Sequence, residues 1–259
     1  MPATSTLEIH QFPILSDNYG VLIRDHATGA VASIDCGDGP AVEAALAAKG
    51  WTLTSILTTH HHGDHTDGNL ELKGSTGCTI IGPKPEAALI PGIDVQVGHG
   101  DTFKFGSFTV HVIETPGHTL GHIAFHIPEA NVAFVGDTLF PLGCGRVLEG
   151  TMEMMWGALQ RVATLPPQTM LYCGHEYTAA NARFALTIDP DNQALQARAK
   201  EITAFRAAGK PTVPSRLDVE LATNPFLRAA NPAIRARLGM EAAKDWQVFG
   251  EIRERKNRS

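Results

Sequence analysis

A run of candidate metal ligands directly follows an apolar, strand-like segment at residues 55–59. Histidines two residues apart share one face of an extended or looped segment, whereas on a helix they point to different sides. Imidazole nitrogens and carboxylate oxygens are the usual ligands of zinc and similar divalent ions. One open catalytic metal needs fewer ligands than this run offers, so the pattern favours two metals. The four candidates are His60, His62, Asp64 and His65.

Three further candidate ligands stand at the ends of later apolar runs. They are His118, Asp137 and His175, and each is flanked by glycine or proline. These residues form tight turns, which bring a backbone close to a shared site. We therefore expect the three side chains to complete a metal site with the run at 60–65.

The remaining histidines are predicted to have no part in the metal site. His61 is expected to face away from it. For His122 two roles stay open: it either holds His118 in place without binding metal itself or has a structural role. Ordinary surface or core positions are predicted for His10, His99, His111 and His126.

The first part of the chain alternates short apolar runs with helical patterns, which predicts a layered α/β domain. Several runs are apolar on successive residues, as expected for strands that are covered on both faces. Helices are predicted at 41–49 and at 151–165, where Thr151 is suited to cap the first turn. The predicted strands are 21–24, 31–34, 55–59, 78–81, 108–113, 122–127, 132–135 and 169–173.

The pattern changes near residue 176, after which helical periodicity dominates. We expect a domain at 1–175 and a small helical domain at 176–259. The helices predicted in the second domain are 179–187, 193–208, 217–223, 232–238 and 244–256.

Charge and composition limit the possible partners. The net charge is −6, which does not suit a nucleic-acid binder. Residues 176–259 carry an excess of Lys and Arg, which indicates either solvated helices or a surface for an anionic substrate. The N-terminus shows no secretory signal, and no apolar run is long enough to span a membrane. We expect a cytoplasmic monomer with four reduced cysteine thiols.

The ligand motifs resemble those of the metallo-β-lactamase superfamily. The resemblance is carried by residues 59–65 and by the pairs Gly117-His118, Gly136-Asp137 and Gly174-His175. It implies an αβ/βα sandwich with a binuclear metal site. By this resemblance one metal is bound by His60, His62 and His118, the second by Asp64, His65 and His175, and Asp137 bridges them.

Further motifs resemble the glyoxalase II family, the hydroxyacylglutathione hydrolases, over nearly the whole chain. They lie at 139–146, 172–178, 212–215, 224–228 and 253–256. The resemblance implies that glutathione is held by Arg146, Tyr177, Arg253 and Lys256, and arginine pairs well with the carboxylates of glutathione. Leu148 stands where relatives carry an aromatic residue, often Tyr, so only an apolar or backbone contact is expected there.

The expected chemistry is hydrolysis of a glutathione thioester, chiefly S-D-lactoylglutathione, to D-lactate and glutathione. A hydroxide that bridges two divalent metals would attack the thioester carbonyl. Zinc is the expected metal, with iron or manganese as alternatives. Asp137 would hold the two metals together, and Asp64 would help to orient the hydroxide.

Four other functions are compatible with part of the pattern. A persulfide dioxygenase or another thioesterase of the same fold would share the ligand motif. A β-lactamase would be expected to carry an export signal. A metal-binding scaffold without catalysis would retain the ligands but would have no need of the residues predicted to contact glutathione.

Overall fold

A computed structural model describes residues 6–259 of the chain. The segment on which the prediction about a secretory signal depends lies partly outside them, at residues 1–5. The domain boundary predicted near residue 176 stays a prediction. Two compact units are present, one formed by Met1–Glu114 with Leu120–Gly136 and the other by Thr115–Thr119 with Asp137–Ser259.

The first unit contains a six-stranded mixed sheet. The strands are β1 (Leu7–Ile14), β2 (Asn18–Asp25), β3 (Val31–Ile34), β4 (Ser55–Leu57), β5 (Thr79–Pro83) and β6 (Val95–Val97). They lie in this order, antiparallel from β1 to β3 and parallel from β3 to β6. All four residues of β3 are buried, as predicted for a strand covered on both faces.

Helices α1 (Gly39–Lys49), α2 (Gly63–Thr66) and α3 (Asn69–Thr76) belong to the same unit. The carboxylate of Asp38 accepts a hydrogen bond from the amide of Ala41 and caps α1, and Gly50 ends that helix in the left-handed conformation. A core of aliphatic side chains joins the helices to the sheet, and burial of each contributes about 1.5–3 kcal/mol. It includes Val42, Leu46, Ile56, Leu72 and Ile80.

Four antiparallel strands form a second sheet region in the first unit. They are β7 (Thr102–Phe105), β8 (Phe108–Glu114), β9 (Ile123–Ile127) and β10 (Val132–Gly136). Every residue of β9 and β10 is buried. The predicted strands at 108–113, 122–127 and 132–135 are thereby confirmed, with ends that shift by one residue.

The second unit begins with two short strand pairs and one helix. The pairs are β11 (Leu139–Phe140) with β12 (Gly143–Cys144) and β13 (Met170–Cys173) with β14 (Ser215–Arg216). Helix α4 (Met152–Ala163) starts after Thr151, whose side chain accepts a hydrogen bond from the amide of Met154. The predicted cap is confirmed.

Five further helices follow in the second unit, and each matches a predicted one to within one residue. They are α5 (Thr178–Ile188), α6 (Gln193–Ala207), α7 (Leu217–Thr223), α8 (Pro232–Leu238) and α9 (Asp245–Asn257). Among residues 6–259, no helix combines the length and the apolar composition that a membrane crossing requires.

Candidate metal centre and substrate residues

The predicted ligands of the first unit lie in the loop after β4 and in the short helix α2. The chain leaves the sheet at Thr59, whose amide and hydroxyl donate to the Asp35 carboxylate at 2.7 and 2.9 Å. Asp35 itself has a φ of +56°, a conformation that non-glycine residues seldom adopt. Strand β4 therefore ends earlier than the predicted 55–59, because Asp35 replaces the neighbouring strand as hydrogen-bond partner of Thr59.

Neighbouring oxygen atoms hold two of the imidazole rings. Nδ1 of His65 lies 2.8 Å from Oδ2 of Asp35, and Nδ1 of His60 lies 3.0 Å from the Thr59 hydroxyl. A bond at Nδ1 fixes the ring and assigns Nε2 to metal binding. Asp35 was not among the predicted site residues, although its position directly after β3 is the strand-end signal that identified Asp137.

A buried carboxylate anchors the next residue of the loop. Oε2 of Glu86 accepts a hydrogen bond from the amide of His61 and lies 2.9 Å from Nδ1 of its ring, while Oε1 accepts from the amide of Gly121 at 2.6 Å. The His61 ring is thus engaged by Glu86. His122 is buried, and its ring stacks on that of His60 with centroids 4.7 Å apart. Glu86 carries no sequence signal, since it stands in no ligand motif.

The second unit contributes His118, Asp137 and His175, all of which are buried. Nε2 of His118 and Nε2 of His175 lie 3.5 and 3.2 Å from Oδ2 of Asp137. The Nδ1–H of His118 donates to the carbonyl of Arg146 at 2.9 Å, which leaves Nε2 as the ring nitrogen that faces Asp137. Asp137 therefore lies close to two imidazole rings, and its bridging role stays a prediction.

Glycine is required next to His118. Gly117 has a φ of +147°, and a Cβ there would lie 2.6 Å from Cβ of Met155. The carbonyl of Gly117 also accepts a hydrogen bond from the amide of Gly150 at 3.1 Å. The turn predicted from Gly117-His118 is thus held close to the first residues of α4.

Within each unit, the spacings between candidate ligand atoms suit metal binding. Nε2 of His60 lies 3.2 Å from Nδ1 of His62, and Nε2 of His65 lies 3.5 Å from Oδ2 of Asp64. In a tetrahedral site with bonds of about 2.0–2.1 Å, ligand atoms are separated by roughly 3.3–3.4 Å. The ligand pairs around Asp137 have the same spacing. The residues present therefore fit a divalent metal.

The predicted substrate residues differ widely in exposure. Arg146 is exposed, and Leu148 is 56% exposed. The Tyr177 ring stacks on that of His175 at 4.7 Å and 6°. Lys256 is partly exposed.

Arg253 is buried, although it lies only three residues before Lys256 on α9. Its guanidinium donates to the carbonyl of Cys144 at 2.9 Å and lies over the Phe226 ring at 5.2 Å. Arg253 thus anchors the end of β12, two residues before Arg146.

The β11–β12 hairpin is held by two buried residues, Glu220 on α7 and Asn224 directly after that helix. The amide of Leu142 donates to Oε2 of Glu220, and the side chain of Asn224 donates to the carbonyls of Phe140 and Gly143. Burial raises the pKa of Glu220. Sequence patterns did not identify Glu220, because an acidic residue in a helix usually faces solvent.

The four cysteine thiols lie in the interior of the protein. All four are unpaired and buried. Burial raises the pKa of Cys36 to about 12 and that of Cys144 to about 11, and it raises the pKa of Cys173 further. Only the thiolate is nucleophilic, so burial disfavours the reactive form of Cys36, Cys144 and Cys173.

Two known families match the chain one after the other. The metallo-β-lactamase superfamily matches residues 19–175, and the family described as hydroxyacylglutathione hydrolase C-terminus matches residues 176–259. These matches define the class: a metallo-β-lactamase domain followed by a helical C-terminal domain. The predicted fold class is confirmed.

Curated relatives narrow this class. Hydroxyacylglutathione hydrolases of Brucella ovis and Brucella abortus are each 58% identical to this chain over 251 residues, which cover 97% of the chain and 98% of each relative. The chain belongs to the hydroxyacylglutathione hydrolase family. The family match and groups of His and Asp side chains suited to a metal ion indicate that it binds divalent metal.

Solved structures share the fold. The BLEG-1 B3 metallo-β-lactamase has a TM-score of 0.66 at 18% identity, covering 85% of this chain and 99% of its own. ETHE1 from Myxococcus xanthus has a TM-score of 0.60 at 29% identity, covering 86% of this chain and 99% of its own.

Proposed function

We propose that this enzyme hydrolyses the thioester of S-(2-hydroxyacyl)glutathione, chiefly S-D-lactoylglutathione, and releases the 2-hydroxy acid and glutathione. The observation that carries the proposal is 58% identity to hydroxyacylglutathione hydrolases over nearly the full length of both chains. The match to the hydroxyacylglutathione hydrolase C-terminus supports the same substrate, because a β-lactam or a persulfide would not require it. The proposed division is a catalytic domain at 1–175 and a glutathione-binding domain at 176–259.

The proposed metal centre holds two ions, which we take to be zinc, with iron or manganese as alternatives. Its ligands divide into the sets His60–His62–His118 and Asp64–His65–His175, with Asp137 shared between them. Groups of these side chains suited to a metal ion support the assignment, as do the ligand spacings within each unit. When bound, the metals supply a Lewis acid and lower the pKa of water to about 7.

The side chains of the protein prepare this site in three ways. Asp35 and the Arg146 carbonyl hold Nδ1 of His65 and of His118, so that neither ring has to reorient. Asp64, which accepts a hydrogen bond from Asn18 at 2.9 Å, is assigned to orient the attacking water. Asp137 is assigned to keep the two ligand sets at a fixed separation.

We assign the glutathione moiety to basic and phenolic side chains. Arg146 and Lys256 would attract its carboxylates, and Tyr177 would contact the peptide beside the thioester. Leu148 would offer only apolar contact. Arg253 is assigned an indirect share, because its guanidinium anchors the chain that leads to Arg146.

The proposed setting is a monomer in the cytoplasm that binds neither nucleic acid nor membranes. Four buried, unpaired cysteines accord with a reducing compartment. The net charge of −6 accords with the expected absence of nucleic-acid binding.

The test is a substrate comparison with metal-loaded protein. S-D-lactoylglutathione should be hydrolysed with kcat/KM at least about 10⁴ M⁻¹s⁻¹. A chromogenic β-lactam should not be hydrolysed, and glutathione persulfide should cause no oxygen uptake. Oxygen uptake with persulfide and no thioester cleavage would replace the proposal with a dioxygenase. Binding of metal without any turnover would indicate a scaffold.

A further inference from the structure

A surface pocket of the second unit contains positive charges that lack acidic partners. It has a volume of about 540 Å³ and is lined by residues of α5 and of the end of α9, including Arg183, Phe184, Arg255 and Lys256. Within residues 6–259, the guanidinium of Arg183 has no hydrogen-bond or ion-pair partner. The ammonium of Lys256 reaches only the hydroxyl of Ser259, at 3.4 Å.

Most arginines of the helical region, in contrast, are paired with a carboxylate. Arg255 lines the same pocket, but its Nε lies 2.7 Å from Oε1 of Glu251. An arginine so neutralised has little attraction left for an anion. The other such pairs are Arg198–Glu201, Arg206–Glu176, Arg216–Asp218, Arg228–Asp189, Arg235–Asp245, Arg237–Asp191 and Arg258–Glu254.

Lys256 experiences an uncompensated positive field. Burial lowers its pKa, and the positive charges of Arg253, Arg183 and Arg146 lower it further. Its Nζ also lies 5.5 Å from the centre of the Phe184 ring. An anion bound here would relieve repulsion among these cations, on an aromatic surface that partly excludes water.

The position of Arg183 along α5 suits the length of glutathione. The helix begins directly after Tyr177, whose ring stacks on that of His175. Arg183 follows Tyr177 by six residues, a rise of about 9 Å along a helix axis. An extended tripeptide spans about 10 Å. A thioester beside His175 would therefore place a carboxylate of its glutathione within reach of Arg183.

We propose that Arg183 is a further specificity-determining residue, which together with Lys256 binds one carboxylate of the glutathione moiety. This inference rests on the proposed substrate. Glutathione has a glycyl and a γ-glutamyl carboxylate, and either anion could pair with the positive charges of the pocket.

Substitution of Arg183 tests the inference. Arg183→Gln should raise KM for S-D-lactoylglutathione by about threefold to tenfold with kcat unchanged, because the lost contact binds substrate and transition state alike. Arg183→Lys should recover most of the loss. Arg237→Gln is the matched control, since that arginine is paired with Asp191 and does not line the pocket, and its KM should equal that of the wild type. Equal KM values for Arg183→Gln and the wild type would overturn the inference while the proposed function stood.

A binding measurement without turnover separates the role of Arg183 from the proposed hydrolysis. Calorimetry with S-hexylglutathione, a thioether that cannot be hydrolysed, should show the same threefold to tenfold weakening in Arg183→Gln. Amides of the glycyl or of the γ-glutamyl carboxylate identify the group bound: one amide should bind the wild type more weakly and should lose nothing further in Arg183→Gln. The inference would be wrong if each amidation weakened binding, relative to S-hexylglutathione, by the same factor in Arg183→Gln as in the wild type. A wild type that bound S-hexylglutathione but hydrolysed no thioester would overturn the proposed function instead.

Discussion

The loop after β4 and the pocket beside α5 handle charge in different ways. In the loop, the histidine rings contact fixed partners: Asp35 holds His65, Glu86 holds His61, and Thr59 holds His60. In the pocket, Arg183 has no ionic partner among residues 6–259, and the ammonium of Lys256 hydrogen-bonds to a hydroxyl instead of a carboxylate. The loop is preorganised for a small ion of fixed geometry, whereas the pocket keeps its charges available for a ligand that leaves after each turnover.

The largest effect is expected at the residue assigned to both metals. Asp137→Asn should lower kcat by about a hundredfold or more, because the amide replaces a charged ligand with a neutral one. Bound metal, measured by atomic absorption, should fall in parallel, while the Kd for S-hexylglutathione should stay within about twofold. A large loss of thioether affinity would show that the two regions are not separable.

Removal of a supporting carboxylate should have the next largest effect. Asp35→Asn should weaken metal binding by about tenfold to a hundredfold, measured by competition with a chelating dye. Asp25→Asn is the matched control: that carboxylate is buried and accepts hydrogen bonds from Ala27, Thr28 and Ser107. It should lower stability without changing metal affinity. Equal metal affinities in the two variants would mean that Asp35 supports the fold alone.

A smaller effect is expected on the substrate side. Leu148 is largely exposed, so a larger side chain can be accommodated there. Leu148→Tyr adds a hydroxyl and should lower KM by about threefold, the gain from one modest hydrogen bond, with no change in metal content. Steady-state kinetics checks this. An increase in KM would show that Leu148 already contacts the substrate closely.

The smallest effect concerns the brace of the β11–β12 hairpin. Burial raises the pKa of Glu220 above its unfolded value of 4.5. The stability that its protonated carboxyl contributes is therefore fully present below pH 4.5 and is lost as the pH rises through the folded pKa. In Glu220→Gln the amide oxygen can accept from Leu142 and Asn224, while the amide nitrogen donates to Ser215.

The variant should therefore gain stability relative to wild type as the pH rises from 5 to 8. Urea unfolding at several pH values measures the difference. A pH-independent difference would contradict the assignment.

Sequence patterns predicted the helices of the second unit well, because helix formation depends mainly on residues that are neighbours along the chain. Thr151 caps α4 as predicted, and helices α5 to α9 begin and end within one residue of the predicted positions. The predictions missed strands β1, β6 and β7, the two-residue strands, and helices α2 and α3. In β1, Pro13 near the end weakens the strand pattern.

The supporting residues of the site were harder to predict. Asp35 lies 30 residues from His65, and Glu86 lies 35 residues from Gly121. The strand-end position of Asp35 could have marked it as a candidate, but nothing local to Asp35 or to Glu86 indicates its partner, so these contacts are seen only in the folded chain. The seven predicted ligands, in contrast, follow recognisable motifs, and their shared metal site remains a proposal.

The most direct test of the account measures metal content and hydrolysis in the same samples. Metal-free protein is titrated with zinc, and the rate with S-D-lactoylglutathione is followed at each addition. Activity should rise with bound zinc and level off at two equivalents per chain. A protein that binds two equivalents of zinc and hydrolyses no thioester would contradict it.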